Sequence, residues 1–197
     1  MLFALLAAGP ARAGAPRAPF AATLARAGDP DSESREYNLK AAYLYNFANF
    51  VKWPPERFAD ETAPIVVAIV GEDPFGKLLE RTFKDKKVGK RPLQLERFED
   101  ASKLADCHVL FVSRSEKKSF AKIVEYGKPR SILIVTEMDG AIGHGGIVNF
   151  FIEKKRVRFE IQIDEAKRFK LTISSKLLQL ARVVRDEKGK RDREKDG

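Results

Sequence analysis

The sequence has few of the residues that build catalytic and metal centres. Its 197 residues include one cysteine and two histidines, and at these unrelated spacings they do not make a transition-metal site. A lone cysteine also excludes an intramolecular disulfide. Carboxylates paired as in a catalytic site are missing too. We therefore predict a protein that is not an enzyme and that holds neither a metal nor a cofactor.

Two glycine-rich stretches come close to functional loops. Residues 71–78, GEDPFGKL, stand in the frame of a phosphate-binding P-loop, but Leu78 replaces the hydroxyl residue that would hold magnesium and Pro74 removes a backbone donor. Residues 143–146, GHGG, have the form of an esterase oxyanion loop, but no Gly-x-Ser-x-Gly elbow supplies a nucleophile. We interpret both as tight turns. His144 is then exposed, with ligand contact as its alternative role.

The sequence also lacks an apolar run near the roughly 18 residues that span a bilayer, so we predict a soluble mature protein. Residues 1–13, MLFALLAAGPARA, have the order of an export signal, with a short apolar segment before a small-x-small cleavage site. Residues 25–27 offer a second such site, and the usual basic start is missing. Export is the favoured interpretation, and a disordered leader on a cytosolic protein is the alternative.

Acidic residues are fewer than basic ones. The formal net charge is +9, and the excess lies between residues 35 and 184, because both ends are close to neutral. A basic core favours acidic partners or anionic surfaces. The chain carries none of the basic-aromatic motifs of nucleic-acid readers, so we predict no nucleic-acid partner.

The middle of the chain has the rhythm of an α/β domain. Continuous apolar runs predict buried strands, and helices are predicted to begin at Asp73-Pro74 and at a capping box of Ser113 and Glu116. The expected order is strand 65–70, helix to about 83, strand 93–98, strand 109–112, helix 115–126 and strand 131–135. Cys107 and His108 open one apolar run and are expected to be buried core residues.

The pattern changes after residue 146. Residues 147–152 and 156–163 predict an antiparallel hairpin about residues 153–155, because apolar and polar side chains alternate in its second arm. A short helix or turn is expected at 164–169. Ser174-Ser175 predicts the cap of a closing helix, whose inward side chains are Leu177, Leu178, Ala181 and Val184.

The predicted fold is one α/β domain, residues 35–184. It has a mixed, mostly parallel sheet flanked by helices, with a C-terminal antiparallel hairpin and a closing helix. Residues 1–34 are a leader and linker, and residues 185–197 are a charged tail expected to be disordered.

The most distinctive stretch is residues 37–54, YNLKAAYLYNFANFVKWP. Helical periodicity over 37–53 predicts an apolar face that packs on the sheet, and Pro54-Pro55 ends the helix. That face contains Leu39, Tyr43, Leu44, Phe47, Phe50 and Val51. The opposite face mixes amides, a phenol and a cation, namely Asn38, Tyr45, Asn49 and Lys52, with Trp53 at its margin.

Six motifs in order along residues 37–184 resemble the YfiR-like family. They are YLYNF with VKWP in the first helix, GEDPFG at 71–76, CHVLFVSRSE at 107–116, GGIVNF at 145–150, VRFEI at 157–161 and ISSKLLQLARVV at 173–184. The resemblance implies a small exported α/β protein of the periplasm. The best-known member represses an inner-membrane diguanylate cyclase by engaging its periplasmic domain, and so sets cyclic di-GMP levels and biofilm formation in response to envelope redox conditions. Disulfides support redox sensing there, and the lone Cys107 departs from that pattern.

We therefore predict an exported regulator that binds the periplasmic sensor region of a membrane signalling protein, either a diguanylate cyclase or a histidine kinase. Repression of a cyclase is the leading version, and a homodimer stays open. Because Tyr, Trp and Arg are common interface anchors, the predicted partner contacts are Tyr45, Asn49, Lys52, Trp53 and Arg57. Ordinary packing and solvation are the alternative role of each.

The alternative function is a periplasmic small-ligand binding protein. Its pocket would lie at the carboxyl ends of the parallel strands, near residues 71–73, residues 113–116 and Glu137, and the basic core would suit an acidic ligand. The predicted ligand contacts are Ser113, Ser115 and His144. A hydrolase that depends on His144 is a distant third.

Overall fold

A computed structural model describes residues 30–186, with side chains from residue 32 onward. The first half contains α1 (Pro30–Phe50), β1 (Val51–Lys52), β2 (Ile65–Val70), α2 (Leu78–Phe83), β3 (Lys87–Val88), β4 (Arg91–Phe98) and β5 (Val109–Val112). The second half contains α3 (Phe120–Gly127), β6 (Leu133–Thr136), β7 (Val148–Glu153), β8 (Arg156–Gln162), α4 (Ile163–Arg168), β9 (Thr172–Ile173), α5 (Ser175–Leu178) and β10 (Arg182–Val184). Short 3-10 helices connect several of these elements, at residues 55–57, 101–103, 114–118, 128–130 and 141–144.

Eight strands form one mixed sheet in the order β10-β8-β7-β6-β5-β2-β4-β3. The strands from β7 through β4 are parallel, whereas β8 runs antiparallel to β7 and β3 runs antiparallel to β4. The predicted fold class, a mixed and mostly parallel sheet with a hairpin and flanking helices, is confirmed. Strands β1 and β9 form a separate antiparallel pair.

The three central strands β2, β5 and β6 are buried on both faces, as their continuous apolar runs predict. The chain crosses from β2 to β4 in one direction and from β5 to β6 in the other. Because such crossovers are right-handed, α2 and α3 lie on opposite faces of the sheet. The direction reverses between β2 and β5, the place where open α/β sheets usually bind ligands.

Helix α1 packs along the sheet on the α2 side and runs from the carboxyl edge of the parallel strands to their amino edge. Leu44 and Phe47 are fully buried. Phe47 stacks on Phe150 of β7 with ring centroids 5.7 Å apart, and Tyr43 meets Phe159 of β8 at 4.9 Å. The predicted packing face is therefore confirmed at its centre.

The bounds of α1 differ from the predicted helix 37–53. The helix begins at Pro30, so residues 30–34, which we had grouped with the leader, belong to it. It ends at Phe50 rather than at the prolines, because Val51 and Lys52 pair with Ile173 and Thr172. Pairing with β9 therefore ends the helix at this point, although the helical periodicity of the sequence continues. The remaining predictions for the leader concern residues 1–29, which lie outside the described residues.

Two predicted helix starts are also corrected. Asp73 does not cap a helix at Pro74, because its carboxylate accepts the N–H of Phe75 at 2.7 Å in a tight turn and α2 begins only at Leu78. The capping box does not form, since the Ser113 side chain makes no cap hydrogen bond. A 3-10 turn occupies residues 114–118, and α3 follows from Phe120.

The predicted hairpin is confirmed, and the closing helix begins where it was predicted but is shorter. Ser174 does cap a helix, accepting the N–H of Lys176, yet that helix is a single turn. The chain then extends as β10, parallel to β8. Asp186 is held by Gln162 at 2.8 Å, and the rest of the predicted tail, residues 187–197, lies outside the described residues.

Candidate functional site

The carboxyl edge of the parallel strands carries a buried ion cluster. Lys40 of α1 is only 1% exposed, and its ammonium pairs with the carboxylates of Glu36 and Glu137. Glu137 directly follows β6 and is 7% exposed. A lysine this deeply buried needs opposite charge and hydrogen bonds to stay ionised. We call Glu36, Tyr37, Lys40, Arg114 and Glu137 the lysine cluster.

The lysine cluster neutralises its own charges. The Tyr37 hydroxyl donates to Glu137 Oε1 at 3.1 Å, and Arg114 Nε lies 3.4 Å from the same oxygen. Lys40 Nζ also lies 4.5 Å from the centre of the Tyr37 ring. Burial, and then the nearby Glu137 carboxylate, raise the pKa of Tyr37 above its ordinary value, so the phenol stays a donor. Two cations face two carboxylates, an arrangement suited to fastening α1 to the sheet.

At the crevice between β2 and β5, the protein's own side chains pack closely around Gly71. Gly71 has a φ of +87°, and a β-carbon there would overlap Ser115 Oγ. That oxygen accepts the N–H of Glu72 at 3.0 Å, and Ser113 is buried beside it. Residues 71–73 and 113–116 thus meet at the predicted edge, where they pack against each other. Glu137, the third predicted lining, is engaged by Lys40.

His144 lies at a different, small cavity. A space of about 240 Å³ is lined by Lys117, Lys118, Phe120, Ala121, Met138, Asp139, Gly140, Ala141 and His144. Neither Ser113 nor Ser115 lines it, so the three predicted ligand contacts do not share one cavity. The exposed His144 ring lies with Nδ1 2.9 Å from the carbonyl oxygen of Gly140. The next residue, Gly145, has a φ of +94°, which confirms the predicted tight turn.

Two of the five predicted partner contacts hold the amino end of β5. Trp53 is 8% exposed, and its indole N–H donates to the carbonyl oxygen of His108 at 3.2 Å. Arg57 makes a bidentate ion pair with Asp106 at 3.0 and 2.8 Å and also donates to the carbonyl oxygen of Cys107 at 2.8 Å. Folding therefore accounts for the contacts of Trp53 and Arg57.

Cys107 and His108 are buried core residues, as predicted. His108 Nδ1 accepts the N–H of Val66 at 3.1 Å. Burial, with a smaller contribution from nearby Arg57, lowers the pKa of His108 to about 4. Burial raises the pKa of the Cys107 thiol to about 12. Both side chains are thus neutral at pH 7, which suits packing rather than nucleophilic chemistry.

The other three predicted partner contacts lie nearer the surface. Asn49 and Lys52 are exposed, and Tyr45 is half-buried with its hydroxyl 3.4 Å from the carbonyl oxygen of Lys87. The five residues consequently divide into two structural contacts and three that remain accessible. We keep Tyr45, Asn49 and Lys52 as the helix surface, a candidate contact area on the end of α1 and on β1.

A larger open groove lies between the start of α1 and the tip of the β7–β8 hairpin. β7 pairs with β6 only at Val148 and Asn149, so the hairpin extends beyond the rest of the sheet. The groove has a volume of about 870 Å³. Leu39 on one wall and Ile152 on the other are 42% and 53% exposed, respectively. The lining is Ser32, Arg35, Glu36, Leu39, Tyr43, Ile152, Lys155, Arg156, Val157 and Arg158. We call this feature the basic groove.

The charge of the basic groove is not balanced by its own lining. Four basic residues line it against one acidic residue, Glu36, which already pairs with Lys40. Among residues 32–186, no carboxylate lies within ion-pair distance of Lys155, Arg156 or Arg158. The groove thus joins exposed apolar surface to uncompensated positive charge.

Sequence reasoning missed Lys40 and the basic groove. The signal for Lys40 was a lysine inside an apolar helical stretch with a glutamate four residues earlier. The signal for the groove was the basic run at residues 154–158, which we assigned only to a solvent face of the hairpin. Neither signal shows which distant residues complete the site. Glu137, which pairs with Lys40, lies about a hundred residues from it in the sequence, and so does Ile152 from Leu39.

A comparison with models of known protein families identifies a relationship. The model of a family described as YfiR/HmsC-like matches residues 37–182, which covers α1 through the start of β10. No match was found among curated proteins. Within the described residues, no helix is long and apolar enough to cross a bilayer, and no group of three metal-ligating side chains is assembled.

Proposed function

The chain belongs to the YfiR/HmsC-like family, and we propose that it is an exported regulatory protein that binds the periplasmic sensor region of a membrane signalling protein. The family name implies a regulatory role. The partner class proposed first is a diguanylate cyclase, which the protein represses, and a histidine kinase is the second class. This proposal places the protein in the periplasm, in line with the order of the parts in residues 1–13.

The observation that carries this proposal is the basic groove. Contiguous apolar surface rimmed by polar groups is typical of interaction sites. Leu39 and Ile152 are exposed in the groove, whose lining also includes Lys155, Arg156 and Arg158 of the hairpin tip. In the crevice where an α/β enzyme would hold a substrate, Ser115 and Glu116 pack closely against Gly71. The protein therefore presents a surface where binding to another protein is better supported than turnover.

Site-specific crosslinking in the native cells tests the proposal. A photo-reactive amino acid at Leu39 or Ile152 is expected to capture a membrane sensor protein. The same label at Lys52 tests the helix surface, and a label at Lys128, beyond α3 on the opposite face of the sheet, is the control. Capture of no membrane protein from Leu39, Ile152 or Lys52 would contradict the proposal.

The cyclase version has its own test. Deleting the protein is expected to raise cellular cyclic di-GMP, and restoring it is expected to lower the level again. Unchanged cyclic di-GMP after deletion would exclude a cyclase as the partner. Crosslinking to a histidine kinase would then identify the second class.

A second candidate function is supported by the small cavity beside His144. Its floor contains Phe120 and Met138, and Lys117 and Lys118 stand at its rim, a combination suited to a small ligand with an apolar body and a carboxylate. Thermal unfolding in a panel of small organic acids tests it, because a ligand of the folded state raises the midpoint as its concentration exceeds Kd. A rise that is lost in His144→Ala supports ligand binding, and no rise with any acid contradicts it.

A further inference from the structure

We infer that the basic groove accepts an acidic, amphipathic segment of a partner protein. Apolar side chains of that segment cover Leu39 and Ile152 on the α1 side of the hairpin. Its carboxylates reach Lys155 at the turn and Arg156 and Arg158, which the strand pleat directs to the outer side of the same hairpin. The inference rests on the proposed function in one respect, since it requires a protein partner. It adds the location of the contact and the chemistry of the segment.

Charge is the first argument. Several basic side chains elsewhere in the described part of the chain form ion pairs: Arg97 pairs with Asp73, Arg168 with Glu165 and Arg182 with Glu153. The three hairpin-tip cations have none within residues 32–186. Clusters of arginine and lysine are a recurring means of recognising acidic protein segments, and complementary charge also speeds the encounter.

Shape is the second argument. One wall is the α-helical start of α1 and the other is the hairpin, so Leu39 and Ile152 face a channel that is open at the surface. Tyr43 and Val157 lie deeper in the same channel and are less exposed. A protein segment reaches these deeper residues with single side chains. A flat lipid surface touches only the rims.

A rigid hairpin tip presents the cations. Lys154 and Lys155 adopt φ values of 50° and 61°, which form a tight two-residue turn between the paired Glu153 and Arg156. Arg156 and Arg158 flank the buried Val157, whose packing fixes the strand. Little backbone ordering is then required on binding, which lowers the entropic cost of association.

A second copy of this chain is a poorer occupant. A twofold interface places the same patch opposite itself. Two grooves meeting in this way would oppose their uncompensated cations, and like charges across an interface disfavour association. An acidic partner avoids that repulsion, and it covers the apolar walls of the groove at the same time.

Direct binding to defined probes tests the inference. The first probe is a fluorescent peptide with leucine at every third or fourth position and glutamate between them. A matched peptide carries lysine in place of each glutamate, and vesicles of phosphatidylcholine with phosphatidylglycerol represent the anionic membrane. Fluorescence anisotropy is expected to show binding of the glutamate peptide only, with Kd rising as salt screens the exposed charges.

Charge reversal then locates the site. The double variant Arg156→Glu/Arg158→Glu is expected to raise Kd for the glutamate peptide about tenfold or more. The matched variant Lys122→Glu/Lys128→Glu makes the same change of charge on and beside α3 and is expected to alter Kd less than about twofold. Circular dichroism of both variants checks that the fold is unchanged.

The outcomes separate this inference from the proposed function. Equal binding of the two peptides, stronger binding to vesicles, groove-dependent dimerisation in sedimentation experiments, or equal effects of the two double variants would each overturn the groove inference. If Lys52 crosslinks to a membrane sensor while Arg156→Glu/Arg158→Glu leaves that capture unchanged, the proposed function stands and the groove inference fails. If the glutamate peptide binds the groove but no membrane protein is captured, the proposed function fails and the groove inference stands.

Discussion

In two neighbouring residues of α1, the charged side chain is buried and the apolar side chain is exposed. Lys40 is 1% exposed, whereas Leu39 is 42% exposed. Lys40 belongs to the lysine cluster, in which each charge has a partner. Leu39 belongs to the basic groove, in which Lys155, Arg156 and Arg158 form no ion pair within residues 32–186. Glu36 contributes to both regions, since it pairs with Lys40 and also lines the groove.

The two regions show that charged side chains in this protein have two roles: some hold the fold together, and others stay accessible to a partner. A buried ion pair is tolerated only when its partners offset the loss of hydration, and removing one partner leaves an uncompensated charge in the interior. Exposed cations in an open groove cost the fold little and contribute little to its stability. The lysine cluster is therefore explained by folding, and the basic groove is the surface that folding leaves available for binding.

Breaking the lysine cluster should have the largest effect on stability. Lys40→Met leaves the Glu137 carboxylate buried with only the more distant Arg114 as a cation, so we expect a loss of about 3–5 kcal/mol in the free energy of unfolding. Urea denaturation measures it. Lys52→Met, an exposed lysine of the same chain region, is the control and should change stability by less than about 0.5 kcal/mol.

A third variant checks the cause. Lys40→Met/Glu137→Gln removes the uncompensated charge and should recover part of the loss. If Lys40→Met is no more destabilising than Lys52→Met, the pairing does not hold α1 in place.

His108 is a buried titratable group whose pKa is governed mainly by the loss of hydration, whereas the charges of the lysine cluster are paired. Its folded pKa of about 4 lies below the ordinary value of 6.5. The unfolded chain therefore binds the proton first as pH falls, so stability is unaffected above about pH 6.5 and declines until about pH 4. The expected loss at this group is about 3 kcal/mol.

The His108 effect is isolated by comparing two pH series. Urea denaturation of the parent and of His108→Gln should give a difference in unfolding free energy that changes with pH only between about 4 and 6.5. A difference that stays constant over this range would show that His108 titrates at its ordinary pKa in the folded protein.

Within the lysine cluster, the Tyr37 hydroxyl should have a smaller effect. Tyr37→Phe removes the hydrogen bond to Glu137 but keeps the ring that packs against Phe75 at 5.4 Å. We expect a loss of about 1–2 kcal/mol in unfolding free energy, because the acceptor is a buried carboxylate. Tyr45→Phe, whose hydroxyl makes a long and exposed contact, should cost about 0.5 kcal/mol or less, and equal losses for the two variants would contradict this assignment.

The basic groove should show the smallest effect on stability. Arg156→Glu/Arg158→Glu is expected to change the free energy of unfolding by less than about 1 kcal/mol, since both side chains are exposed and neither forms an ion pair within residues 32–186. Glu153, which lies opposite Arg156 in the hairpin, pairs with Arg182 instead. Thermal unfolding measures this directly. A large destabilisation would assign these arginines to the fold and remove the contrast with the lysine cluster.

The local sequence predicted the central strands correctly, but it did not predict how the first and last segments of the domain are folded. Ile65–Val70 was predicted with its bounds because a continuous apolar run flanked by proline and glycine has few alternatives. Residues 176–184 have helical periodicity and were predicted as a helix, yet Arg182–Val184 pairs with β8 as a strand. Pairing with a distant strand offers hydrogen bonds that a local pattern does not reveal.

The candidate sites show the same limit. His108 and Cys107 were correctly predicted as core residues because they stand at the start of a buried run. Trp53 and Arg57 were predicted as partner contacts because their residue types are common at interfaces. Their structural partners, the carbonyl oxygens of His108 and Cys107, lie about fifty residues away. Residue type alone therefore did not distinguish an interface anchor from a side chain that holds the fold.

The sequence by itself determined the α/β class, the buried parallel strands, the hairpin and the family, because apolar periodicity and ordered motifs are properties of the linear chain. Only the tertiary structure decided that Lys40 is buried and that Leu39 is exposed. Lys40 meets Glu137 because β6 ends beside the middle of α1, and Leu39 lies near the hairpin tip because that hairpin extends past the sheet. Burial and charge balance depend on neighbours in space, and those neighbours are set by the packing of distant segments.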